Sequence, residues 1–164
     1  MKYVVTLISI MTAFTSTAQN GKAQTIKTTF SRETTVSIII NASAKDVWQI
    51  ITDGEHYTSW NSTIVSLEGD IALGERIRLK STLDPKRTFK LKVKEMQNES
   101  RLVWGDGKGQ RVFQIEPLEP GRVQFTMTEK IGGLMFPMYQ KFIPPFDGSF
   151  EQFARDLKQH TERG

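Results

Sequence analysis

The 164-residue chain contains no cysteine. This excludes disulfide bonds, thiolate metal ligands and a lipid attached to an N-terminal cysteine. Histidine is scarce as well: His56 and His160 are the two present, and they do not have the spacing of a metal-binding pair. The formal net charge is only +4, whereas nucleic-acid-binding domains usually carry a dense basic stripe. We therefore predict no metal, no cofactor and no nucleic-acid partner.

The chain also lacks a hydrophobic run long enough to span a membrane. The N-terminal apolar run, residues 3–14, falls short of the roughly 20 residues that a spanning helix needs. Lys2 precedes it and the small residues 15–18 come after it, which is typical of a secretory signal peptide. We expect a signal peptide over residues 1–18 and a periplasmic or secreted protein whose mature chain begins near Gln19. An N-terminal strand or tail is the alternative.

The remainder of the chain has the composition of a linker and one domain. Residues 19–32 are polar and rich in Thr, Lys and Gln, which is typical of a flexible N-terminal linker. Residues 33–164 show no repeat or second boundary, and their number suits a single domain. Ten Phe, three Trp and three Tyr in so short a chain indicate a roomy aromatic interior.

Hydrophobic periodicity predicts mostly strands, bracketed by helices. Residues 34–41 form a β-branched strand, Ser43 caps a helix over residues 44–53, and residues 55–60 form a second short helix. A turn is predicted at Asp84-Pro85. Six further strands are predicted over residues 64–67, 76–81, 88–94, 102–104, 111–118 and 123–131.

The C-terminal segment has the pattern of an amphipathic helix. Steps of three and four residues separate its apolar set, which consists of Phe146, Phe150, Phe153, Leu157 and His160. Pro144-Pro145 interrupts the chain just before this set, so the first residue of the helix is left open.

Several short segments carry a family resemblance in their order and spacing. They are residues 40–44 leading into Val47-Trp48, residues 56–61, Gly74, residues 113–118 leading to Gly121, Thr128-Glu129 with Gly132, and residues 150–157. Over residues 34–162 the chain thus resembles the START-like helix-grip (SRPBCC) superfamily, which includes polyketide cyclase/dehydrase-like and lipid-transfer families. The resemblance implies an α+β fold in which a seven-stranded curved antiparallel sheet wraps around the long C-terminal helix. Two short helices lie between strands 1 and 2, and a cavity separates sheet and helix. It implies no particular reaction.

Strand alternation places two charges on the apolar face. Arg111 shares a face with Phe113, and Glu129 shares one with Phe125. A hairpin register that opposes Pro117 to Val123 also opposes Arg111 to Glu129, near the open end of the sheet. Two interpretations remain: a half-buried ion pair without a ligand, or a polar anchor for a carboxylate or hydroxyl on an apolar ligand. A further step would make Glu129 a general acid or base.

Apolar residues complete the candidate ligand site, although we expect most of them to be core. The segment 134–139 lies between glycines and prolines and is predicted to line the cavity entrance, where methionine adapts to irregular ligands. The apolar candidates are Trp60, Leu79, Phe89, Leu91, Trp104, Phe113, Phe125, Met127, Met135, Phe136, Met138, Phe142, Phe150 and Phe153.

Three functions are compatible with this pattern. The first is an exported binding or carrier protein for a hydrophobic, lipid-like or polyketide-like molecule. The second is a cyclase, dehydratase or isomerase that uses Glu129 with Arg111, or Tyr57, to move protons. The third is a module whose outer sheet face contacts an anionic membrane or an acidic partner, unless that face is merely solvated. Its basic residues are Arg76, Arg78, Lys80, Lys90, Lys92 and Lys94. The sequence does not distinguish a monomer from a dimer.

Overall fold

A single antiparallel sheet dominates the computed structural model, which describes residues 20–164. Its strands are β1 (Asn20–Lys27), β2 (Ser31–Ile40), β3 (Ile64–Glu68), β4 (Arg76–Ser81), β5 (Asp84–Gln97), β6 (Arg101–Gly105), β7 (Gly109–Glu119) and β8 (Arg122–Gly132). They lie in the order β1-β2-β8-β7-β6-β5-β4-β3, so β1 and β3 form the two edges. The helices are α1 (Ala44–Thr52), α2 (Tyr57–Trp60), α3 (Phe136–Tyr139) and α4 (Asp147–Arg163). The predicted signal peptide, residues 1–18, lies outside the described residues.

The predicted α+β helix-grip fold is confirmed, because α4 packs on the concave face of the sheet. Phe150, Phe153 and Leu157 are almost fully buried along its inner face, as their spacing predicts. Phe146 is buried at the residue just before the helix, so Pro144-Pro145 stays outside it. The prediction that His160 belongs to the apolar face is wrong, because its side chain is exposed and stacks on the Trp60 ring.

The prediction of a flexible linker over residues 19–32 is wrong within the described residues, because β1 makes an eighth strand there. It pairs with β2, and its polar groups reach α4: Ala23 N donates to Glu151 (3.2 Å) and the Thr25 hydroxyl donates to Asp147 (3.0 Å). Because β1 is an edge strand held by polar contacts, it needs few apolar residues. Its sequence therefore has the same polar composition as a flexible linker. The neighbouring strand β2 likewise begins at Ser31, three residues earlier than predicted.

Local signals place the other elements well. Ser43 and Asp46 form a reciprocal capping box that starts α1, as the Ser43 cap predicts. The turn predicted at Asp84-Pro85 lies instead just before it, and both residues belong to β5. Proline is tolerated there because a residue at the start of a strand need not donate a backbone N–H hydrogen bond to the neighbouring strand.

The core centres on Phe153 of α4. Its ring centroid lies 5.5–6.4 Å from four other aromatic rings, those of Tyr57, Trp60, Phe113 and Phe125. Two of these rings come from α2 and two from the sheet, so α2 fills the space between the sheet and α4 around Phe153. Within residues 20–164, no helix combines the length and the apolar content needed to cross a membrane.

Candidate functional site

A cavity of about 330 Å³ lies at the end of the sheet where β6 turns into β7 and where β8 ends. Its size suits a small ligand. The turns that join β4 to β5 and β6 to β7 form one side, the end of β8 forms another, and residues 139–146 form a cover. The apolar wall consists of Leu79, Leu83, Phe89, Leu91, Trp104, Ile131, Phe142, Ile143, Pro144 and Phe146.

A close backbone approach shapes one wall of the cavity. Gly105 ends β6 and Gly109 begins β7, and both line the cavity. A Cβ atom on Gly105 would collide with the backbone of Gly109. The glycine-rich segment is therefore a tight hairpin turn whose glycines bring the two strands together beside the cavity.

An ion pair provides the polar groups of the inner wall. The register of β7 and β8 sets Arg111 opposite Glu129, as predicted. Arg111 Nε donates to Glu129 Oε2 at 2.6 Å, and Nη2 lies 2.5 Å from the same oxygen. The side chains are 16% and 18% exposed, and the guanidinium lies 5.0 Å from the Phe150 ring centroid. The pair is thus partly desolvated and anchored against α4.

Arg32 attaches the cover of the cavity to the sheet. Its guanidinium donates to the carbonyls of Ile143 (3.2 Å) and Pro144 (2.7 Å) and lies over the Phe146 ring. Burial lowers the pKa of Arg32, and the carboxylates of Asp147 and Glu129 oppose that shift. Sequence reasoning missed Arg32, although it continues the alternation that buries Thr34.

Two residues of the segment 134–142 lie on the edge of the cavity. Tyr139 and Phe142 line it, and the Tyr139 hydroxyl donates to the Gly132 carbonyl at 3.1 Å. The other predicted members do not line it: Phe136 is buried, and Met135 and Met138 point to solvent. Leu134, Met135, Met138 and Phe142 are 59–87% exposed, and of these four Phe142 lines the cavity.

The remaining predicted site residues divide between cavity and core. Lining the cavity are Leu79, Phe89, Leu91, Trp104, Arg111, Glu129 and Phe142. The others are packed in the core and do not line the cavity: Trp60, Phe113, Phe125, Met127, Phe150 and Phe153. Tyr57 is also core: it is fully buried, its hydroxyl donates to the Ile51 carbonyl at 3.1 Å, and burial raises its pKa.

The basic outer face forms as predicted, with one acidic neighbour. Arg76 lies opposite Lys92 and Arg78 lies opposite Lys90 in the β4–β5 pair. Glu68 on the edge strand β3 contacts Arg78 at 3.1 Å and offsets part of this charge.

No cluster of three or more potential metal ligands occurs in the part of the chain that the structure describes. His56 pairs with Asp53 at the surface (2.9 Å), and His160 is exposed. The chemical resources of the cavity are therefore its apolar wall, the Arg111–Glu129 pair and a charged rim.

This architecture, with a cavity at one end of a sheet gripping a helix, defines a helix-grip protein. The family model for polyketide cyclase/dehydrase and lipid transport matches residues 31–162. The chain therefore belongs to that family, and the START-like resemblance is confirmed. Membership supports the binding of hydrophobic small molecules in general. No curated protein matches the chain.

Solved structures show the same fold at low identity. A conserved protein of unknown function from Enterococcus faecalis is 15% identical, with a TM-score of 0.63 over 86% of this chain and 77% of its own. A START superfamily protein from Mycobacterium smegmatis is 18% identical (TM-score 0.60; 80% of this chain, 97% of its own). A norcoclaurine synthase point mutant from Thalictrum flavum, in complex with a transition-state analogue, is 14% identical (TM-score 0.61; 85% and 97%).

Proposed function

We propose that the protein is an exported binding or carrier protein that holds a lipid-like or polyketide-like molecule in the cavity. The observation that carries this proposal is the cavity of about 330 Å³ with its apolar wall. Each ligand CH₂ group that leaves water there contributes about 0.8 kcal/mol, so an alkyl chain or ring system can bind without a strong polar contact. The ring of Phe142, which is exposed and also lines the cavity, gives such a molecule an apolar surface beside the opening.

Native mass spectrometry of protein purified from its own host tests binding directly. We expect a bound small molecule in the native protein and its absence from Leu91→Trp, because the indole fills the space beside the half-buried Leu91. Leu118→Trp is the matched control, since Leu118 is exposed on β7 outside the cavity. A protein without a bound molecule that also binds no apolar dye would contradict the proposal.

Export is supported by the first residues of the sequence, where Lys2, the apolar run 3–14 and the small residues 15–18 have the order of a secretory signal. N-terminal sequencing of protein from the periplasmic or secreted fraction should give a chain that begins near Gln19. A cytoplasmic protein that retains Met1 would show that export is wrong.

Catalysis is a second candidate function, favoured by the carboxylate of Glu129 on the cavity wall. Norcoclaurine synthase has the same fold and was solved with a transition-state analogue, so the fold is compatible with an enzyme. Tyr57 drops out of this proposal because its hydroxyl is buried and bonded to a carbonyl. Once a substrate is found, full turnover by Glu129→Gln would remove Glu129 as the proton-transfer group.

Weak contact of the basic outer face with anionic membranes is the third element of the proposal. Each basic residue near such a surface contributes about 1 kcal/mol, and Lys90 and Lys92 lie beside Arg76 and Arg78. Binding to phosphatidylserine vesicles should fall steeply as salt is added, since the attraction is electrostatic. Salt-independent binding would contradict this contact.

A further inference from the structure

The ion pair on the cavity wall already balances its own charge. Both contacts from Arg111 end on Oε2 of Glu129, so Oε1 receives no hydrogen bond from any of residues 20–164. A guanidinium has five N–H donors, and these contacts employ only two of them. The pair therefore offers a ligand both a free acceptor and free donors, but no net charge.

The surroundings of the pair are balanced as well. The cavity is lined by three acidic and three basic residues: Asp84, Asp106, Glu129, Arg87, Lys108 and Arg111. Behind the pair, buried Arg32 faces the carboxylates of Asp147 and Glu129. The described charges on and behind the inner wall are thus equal in number, and among those that line the cavity Arg111 and Glu129 are the two joined in an ion pair.

We infer that the ligand carries a neutral hydroxyl-type polar group on an apolar body, and that Arg111 and Glu129 set this choice against fatty acids and amines. The inference rests on the proposed binding function and narrows its ligand class. A hydroxyl donates its proton to Glu129 Oε1 and accepts from Arg111, so both polar groups gain partners while the ion pair stays intact.

A charged ligand head group is repelled by the like-charged member of the ion pair, whereas a neutral hydroxyl is not. A ligand carboxylate must either displace Glu129 from Arg111 or share the site with it, and two carboxylates in a partly desolvated site repel each other. A ligand ammonium meets the same problem with Arg111. Because Arg111 and Glu129 are only 16% and 18% exposed, water screens this repulsion poorly.

Matched ten-carbon ligands test the inference in the native protein. We would measure how 1-decanol, decanoate and decylammonium displace the neutral dye N-phenyl-1-naphthylamine, at slightly alkaline pH so that the acid is ionised and the amine protonated. Decanol should bind about tenfold more tightly than either ion, which is the size of one hydrogen bond to a charged group.

Two variants should reverse the preference in opposite directions. Glu129→Gln leaves Arg111 unpaired and should improve decanoate binding relative to decanol by about tenfold or more. Arg111→Gln leaves Glu129 unpaired and should favour decylammonium by a similar factor. Glu119→Gln is the matched control, because Glu119 forms an exposed pair with Arg122 (2.7 Å) across the same two strands at their other end. It should leave the ranking unchanged.

The outcomes separate this inference from the proposed function. Decanoate or decylammonium binding the native protein as tightly as decanol would overturn the inference while leaving hydrophobic binding intact. Failure of the dye and of all three ligands to bind would overturn both. The measurement on the native protein decides even if a variant fails to fold, and circular dichroism identifies such a variant.

Discussion

The two ends of the space between sheet and α4 differ in how they are filled. At one end, α2 brings Tyr57 and Trp60 against Phe153, and these rings pack against one another without lining the cavity. At the other end, residues 139–146 cover the gap and leave about 330 Å³ beside Leu91. One end is therefore closely packed, and the other keeps an open volume between sheet and helix. Substitutions at the two ends should affect different measurements.

The largest effect should come from removing α4. Truncation after Phe142 uncovers the inner face of the sheet at both ends, including Phe113, Phe125 and Met127. Each large apolar side chain contributes about 1.5–3 kcal/mol when buried, and a whole domain is stable by only about 5–15 kcal/mol. We expect an unfolded or aggregated chain by circular dichroism and size-exclusion chromatography. A folded monomer would show that α4 is not essential to the core.

Phe153→Ala should be the most damaging single substitution at the packed end. The ring is almost fully buried among four aromatic neighbours, so its removal should cost about 3–5 kcal/mol in urea unfolding. Apolar dye binding, corrected for the folded fraction, should stay unchanged because Phe153 does not line the cavity. If the free energy of unfolding of Phe153→Ala equalled that of the native protein, the close packing around Phe153 would not be a main source of stability.

The strand register could be predicted from sequence because two independent signals agree. Alternation gives each strand an inner face, and Gly121 fixes the turn, so the Arg111–Glu129 pair can be found by counting residues. The inner face of α4 is found in the same way from steps of three and four.

The extent of the cavity could not be predicted from sequence. Alternation shows which face of the sheet a side chain is on, but it does not show whether α4 covers that side chain or leaves it beside an open space. Phe113 and Arg111 share a face, yet Phe113 packs beneath α4 and Arg111 reaches the cavity. Strand β1 was missed for a related reason. Its partner Glu151 lies 128 residues from Ala23, and no local pattern reports such a contact.

Phe89→Ala should have a moderate effect at the open end. The Phe89 ring is half-buried on the cavity wall, so its loss should cost only about 1–2 kcal/mol of stability. Dye affinity should fall roughly tenfold, since the ligand loses one large apolar contact. Phe30→Ala is the matched control, because Phe30 is exposed and outside the cavity. Equal dye binding by both variants would place the ligand elsewhere.

The smallest effect should be a loosening of β1 in acid that spares the aromatic end. The hydrogen bond from Ala23 N, together with weaker contributions from Lys22 and Arg155, holds the pKa of Glu151 below its ordinary value. A carboxyl with a depressed folded-state pKa stabilises the fold above its unfolded pKa, which is about 4.3 for Glu, and that contribution is lost as pH falls through the folded value. Amide exchange in β1 should therefore accelerate, relative to the core, as pH falls from about 5 towards 3. Glu151→Gln should remove much of this pH dependence and leave exchange at Phe113 and Phe125 unchanged. If β1 in the Glu151→Gln variant still loosened in acid as much as in the native protein, another carboxylate, such as Asp147 beside Thr25, would control the attachment of the strand.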